Sequence, residues 1–172
     1  MSALPSDPAE AGTSVPSQDE THQRLHELLS AVTDAVLEAQ PQLASFHAHR
    51  PERDRSSGDS WRGLQTLCHV SALLVTTGRP ERSAEATGRV IEAVHRAAAA
   101  WGMRPRAEQV GAAMTTLSWA GPAGDLLELV LGVRVAVRAV SAPFLPGSLA
   151  PMPTTSPVSA LSPLTPPPRR VR

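Results

Sequence analysis

Histidines, one serine and one cysteine are the residues of this chain whose types and spacing could support chemistry. His22 and His26 stand four apart, a spacing that on a helix lets two imidazoles share a metal ion. Gln23 follows His22 where a zinc hydrolase would place a carboxylate. His47 and His49 fall in a polar stretch. His69 and His95 have no visible partner and read as boundary residues. Gly58-Asp59-Ser60 matches the nucleophile segment of some serine hydrolases in three residues. That chemistry also needs a supported turn, a histidine in reach and an orienting carboxylate. Here no apolar strand leads into the triplet. Cys68 is the single cysteine, which excludes an internal disulfide and a multi-cysteine metal site. Its neighbours Leu67 and Val70 mark it as a small buried hydrophobe. Gly121, Gly124 and Gly132 match neither phosphate-binding fingerprint and read as turn or bulge residues. No catalytic, cofactor-binding or metal residues are therefore assigned. The alternative is a small hydrolase using Ser60 or the His22/His26/His47/His49 segment.

The elements that would position these groups follow from periodicity. Ser17 and Glu20 form a capping-box pattern, and a helix of about Asp19–Gln40 follows, ended by Pro41. Its stripe is Leu25, Leu28, Leu29, Val32, Val36 and Ala39, with Leu37 off the stripe. A second helix runs over Ser83–Gly102, with Ser83 as N-cap and Gly102 just past its end. Thr87, Val90, Ile91, Val94, Ala97, Ala98 and Trp101 share one face. Glu85–Arg89 and Glu92–Arg96 are i,i+4 pairs on the other. Trp101 is expected to anchor the core.

Residues 46–63 are expected to be a solvated loop. The run 64–77 is a strand by its Thr and Val content, or a short buried helix. Met114–Trp119 alternates, and so do Leu127–Leu131 and Val133–Val137 around Gly132, so three antiparallel strands form a meander. The rival for 125–140 is a helix, disfavoured by its β-branched residues and by Gly132. Residues 1–16 and the Pro-rich 148–172 are expected to be disordered tails. The fold class is thus α+β, with two amphipathic helices on a small antiparallel sheet in one domain over 17–147. The alternative is an all-α bundle.

Sixteen basic residues balance sixteen acidic ones over 172 residues, which argues against a nucleic-acid or anionic-membrane binder. Lysine, asparagine and tyrosine are absent and isoleucine occurs once, a pattern of GC-rich codons rather than of phosphate recognition. With few aromatics, stacking platforms for bases are lacking. No apolar run approaches the roughly 20 residues of a membrane span. The polar N-terminus has no signal-peptide pattern, so the expected location is cytoplasmic.

The segments AAAAWGM, TLSWAGPAGDLLELV and VRVAVRAVSAPFLP, within about Ser83–Pro146, resemble small actinobacterial proteins of the LppA-like lipoprotein type. The resemblance implies a compact α+β domain and supplies no catalytic residues. The chain departs from that type in having no signal sequence and in placing Cys68 outside a lipobox. The expected function is that of a non-enzymatic binding or accessory protein acting through a protein partner, with no cofactor.

Overall fold

The computed structural model describes residues 15–147; the tails expected over 1–16 and 148–172 lie outside the described residues, apart from Val15 and Pro16. Two helices, α1 (Gln18–Ala39) and α2 (Ala84–Ala100), accompany eight antiparallel strands. The strands are β1 (Phe46–Arg50), β2 (Arg53–Trp61), β3 (Leu64–Val70), β4 (Leu73–Thr76), β5 (Arg104–Val110), β6 (Thr115–Ala120), β7 (Leu126–Leu131) and β8 (Val135–Val140). The fold is α+β, not a helical bundle.

Both helices start where their caps require. Ser17 accepts from the Glu20 amide, and the Glu20 carboxylate accepts from the Ser17 amide at 3.0 Å. Ser83 does the same for the Ala86 amide. Gly102, at φ +72°, turns the chain out of α2 in the left-handed conformation. Leu25, Leu28, Leu29, Val32 and Val36 of α1 pack with Val90, Val94 and Ala98 of α2 on one face of the sheet. Alternate residues of the meander meet them: Leu117 and Trp119, Leu127 and Leu129, then Val135, Val137 and Ala139. The meander is therefore as expected, with β8 starting at Val135 because Gly132–Arg134 make the turn.

Trp101 packs against the edge of the core rather than anchoring its interior. It is the C-cap of α2 and only half-buried, because the chain leaves the helical path there. The buried indole belongs to Trp119, 2% exposed near the end of β6.

The segment 46–63 is not a loop. It forms β1 and β2, and the 64–77 run forms β3 and β4, so the two halves pair as one long interrupted hairpin. Arg62 and Gly63, at φ +49° and +80°, make its two-residue turn, the geometry that matches strand twist. The strand order is β1-β4-β8-β7-β6-β5, with β3 also meeting β8 at Val70–Val140. At the break between β3 and β4, the Ser71 hydroxyl accepts from the Ala139 amide and the Ser141 hydroxyl from the His69 amide, both at 2.9 Å. β5 was also unforeseen, since Pro105 reads as a breaker; it sits at a bulge on an edge strand, where proline is tolerated. No helix among the described residues is long and apolar enough to cross a membrane.

Candidate functional site

The residues brought together are His22, Asp54 and His69, with Glu52 and Gln18 around them. Three elements supply them. His22 lies one turn after Gln18 at the capped start of α1, and its side chain meets the β2–β3 hairpin. Asp54 and His69 are directly opposite one another in that hairpin, so their side chains share the face turned to α1. The Ser141 hydroxyl, just past the end of β8, fixes the His69 backbone from the other side.

Asp54 Oδ1 lies 3.0 Å from His22 Nε2 and 2.6 Å from His69 Nδ1. A carboxylate can only accept, so both nitrogens carry the proton and donate. Gln18 Nε2 donates to Asp54 Oδ2 at 3.0 Å, while Gln18 Oε1 accepts from the Gly147 amide at 2.9 Å. The other nitrogen of His69, Nε2, faces Glu52 Oε2 at 3.4 Å. The two imidazoles overlap with centroids 3.9 Å apart, and buried Phe144 meets His22 edge-on at 5.8 Å. The side chains of His69, Asp54 and His22 are 6%, 23% and 35% exposed, so the centre is closed at His69 and open at Asp54 and His22.

Burial pushes the Asp54 carboxyl up. The hydrogen bonds and charges of His69 and His22 together outweigh it and hold the group below the ordinary carboxylate range. The chain segment against His22 is held separately. Asp125, 5% exposed, accepts from the Ala142 amide at 2.8 Å through Oδ1. Among the described residues its Oδ2 takes no aligned hydrogen bond, and it is neutralised by the Arg24 guanidinium 2.7 Å away.

The residues singled out in the sequence do not converge. Of His22, His26, His47 and His49, only His22 joins the cluster. His26 is exposed on α1, and His47 and His49 stand exposed on the edge strand β1, beside Val75 and Arg134. Ser60 is exposed near the tip of β2, opposite Gln65 and away from the cluster. Cys68 is buried as expected, with the Arg55 Nε–H directed at its sulfur at 3.4 Å. His95 is not partnerless: its Nδ1 accepts from Trp119 Nε1 at 3.3 Å. His69 and Asp54 were missed because the hairpin that pairs them was missed. The usable signal was Arg62-Gly63, a two-residue turn between Trp61 and Leu64. Even so, two extra residues at the Gly58 bulge shift the register between Ser56 and Ser60.

A second feature lies at the other end of the sheet. Val110, Met114 and Val133 are 76%, 55% and 62% exposed. Val110 ends β5, and Met114 and Val133 lie on the β5–β6 and β7–β8 turns, where a Cβ on Gly132 would stand 3.5 Å from the Met114 Cβ. Met114 and Val133 line a cleft of about 640 Å³ that also reaches Ile91, Leu131, Glu81, Arg82 and Glu108.

No family model matches the chain, and no curated protein matches it. Two solved structures are similar. One is LppA from Mycobacterium tuberculosis, described as a lipoprotein, with TM-score 0.58 and 14% identity over 80% of this chain and 83% of that one. The other is a DUF4853 family protein from Actinomyces odontolyticus, with TM-score 0.54 and 19% identity over 87% and 78%. Neither is named for an enzymatic activity. At these identities the likeness is one of fold, and it agrees with the LppA-like resemblance of the sequence.

Proposed function

We propose that the protein is a non-enzymatic binding protein that acts through a protein partner, docking an apolar partner segment at the hairpin tips. The observation that carries the reading is the exposure of Val110, Met114 and Val133, three of the four large apolar side chains exposed among the described residues, at one end of the sheet. Each side chain that a partner covers fully contributes about 1.5–3 kcal/mol. Grouped exposed apolar side chains of this kind are a feature of contact sites. Glu81 and Glu108 against Arg82 leave one net negative charge along the cleft, so the fitting segment carries a basic residue beside its apolar ones.

A photo-crosslinking residue placed at Val133 and activated in the native cell tests this. One discrete adduct is expected, lost when Met114→Asp is added. Absence of an adduct would contradict the reading. An adduct at twice the chain mass would replace a partner by self-association. Turnover by the purified protein that Ser60→Ala abolishes would replace it by the hydrolase alternative.

A further inference from the structure

We infer that His22, Asp54 and His69 form a site for one divalent transition metal ion of the zinc type, with His22 Nε2, Asp54 Oδ1 and His69 Nδ1 as ligands. The site stands apart from the docking surface. Gln40, which lines the cleft, is eighteen residues along α1 from His22, about 27 Å at the helical rise.

The donor set comes first. Two imidazoles and one carboxylate suit zinc, cobalt, nickel and copper, and not the hard cations calcium and magnesium, which take oxygen. The three donor atoms already lie within 4.8 Å of one another. Ligands around a four-coordinate zinc at roughly 2.0–2.2 Å stand about 3.3 Å apart. The present separations of 3.0 and 2.6 Å therefore need only a small opening, which rotations of the His22 side chain and of the Asp54 carboxylate can supply. Three protein ligands leave a fourth position on the open side of the centre.

The surroundings are those a metal centre requires. A ligating histidine almost always donates its second nitrogen to a carboxylate or carbonyl, which fixes its tautomer. His69 Nε2 already faces the Glu52 carboxylate. When the ion binds, His69 Nδ1 gives up its proton to become a ligand and the ring carries its proton on Nε2, toward Glu52. His22 likewise gives up its Nε2 proton to ligate and carries one on Nδ1 instead. Each ring stays neutral, with proton exchange through solvent. The Asp54 carboxylate keeps its Oδ2 partner, Gln18, while Oδ1 exchanges two N–H donors for the metal. Gln18 is tied to the Gly147 amide, so this orienting contact is itself held. Other clusters among the described residues lack such support: His47 and His49 are an exposed pair without a third donor there, and Arg24 already neutralises Asp125.

Chelator-stripped protein is titrated with Co²⁺, read by its visible d–d absorption, and with Zn²⁺, read by calorimetry. One ion per chain is expected, with the absorption intensity of a four-coordinate site. His22→Ala and Asp54→Asn should weaken binding at least tenfold, and Glu52→Gln, which touches no metal, should weaken it about 10–100-fold. His26→Ala should bind as the wild type does. Circular dichroism of each variant separates lost ligands from lost fold; His22 is half-exposed and its replacement leaves the core intact. No binding by the wild type, equal binding by His22→Ala and Asp54→Asn, or loss of binding only on the double change His47→Ala, His49→Ala would overturn the inference. A hydrogen-bonded staple without metal affinity is the result that the first of these would leave.

Discussion

Asp54→Asn, measured in metal-free buffer, probes how α1 is fastened to the hairpin. The carboxylate accepts from His69, His22 and Gln18. Asparagine can still accept through its oxygen, but its amide N–H₂ then confronts the Gln18 N–H₂ donor. Gln18 cannot simply flip, because its oxygen holds the Gly147 amide. The largest loss is at His69, whose side chain is 6% exposed and which trades a charged acceptor for a neutral one. Hydrogen bonds to charged groups contribute about 1.5–3 kcal/mol, and the two more exposed bonds add less. A total of about 2–3 kcal/mol follows. At about 3–5 °C per kcal/mol for a domain of this size, the melting temperature should fall by about 6–15 °C. The assay is thermal unfolding by circular dichroism on wild type, Asp54→Asn, His22→Ala and the double variant. The cycle should return a coupling of about 0.5–3 kcal/mol, as for residues in one network. His26→Ala, exposed on the same helix, should stay within about 0.5 kcal/mol of wild type. A stable Asp54→Asn protein with additive energies would refute the reasoning.

Three other outcomes are expected. Trp119→Ala should cost about 3–5 kcal/mol as a core deletion and Trp101→Ala about half of that; chemical denaturation of the two variants gives the ranking, and equal losses would contradict the placement of Trp101 at the helix end. Ser17→Ala should cost about 0.5–2 kcal/mol by removing the cap of α1, read from the shift in denaturation midpoint. The Asp54 carboxyl is held below its ordinary value, so the stability it contributes is complete above about pH 3.9 and is lost as pH falls through its lower folded value. Acid unfolding curves of the wild type should therefore converge on those of Asp54→Asn at the acid end, and curves that stay parallel would contradict the shift.

Both helices and the β6–β8 meander were legible because burial there is one-sided. Leu25 to Val36 repeats at helical spacing and Leu127 to Ala139 alternates, so periodicity reports the face each element turns to the core. β2 and β5 carry no such record. Arg53–Trp61 and Arg104–Val110 are polar and almost wholly exposed, and their strand state is set by pairing with β3 and β6, which no local pattern encodes. The candidate site was hidden for the same reason. His22 was visible by type, but its partners were sought along the sequence, at His26, instead of across a hairpin. Asp54 read as one charge among many, and His69 as a boundary residue, until the β2–β3 register set them opposite one another. Trp101 misled because a helical stripe was carried one residue beyond the last helical turn.

The claim on which the candidate site depends is that α1 and the β2–β3 hairpin bring His22, Asp54 and His69 to one point. Long-range ¹H–¹⁵N correlation spectra of the six histidine rings test it most directly. In chelator-treated protein, His69 should be protonated on Nδ1 and His22 on Nε2. Addition of one equivalent of Zn²⁺ should move the proton of His69 to Nε2 and that of His22 to Nδ1, while His26, His47, His49 and His95 stay as they were. A His69 ring protonated on Nε2 alone in metal-free protein, or averaging freely between its two tautomers like an exposed imidazole, would contradict the account.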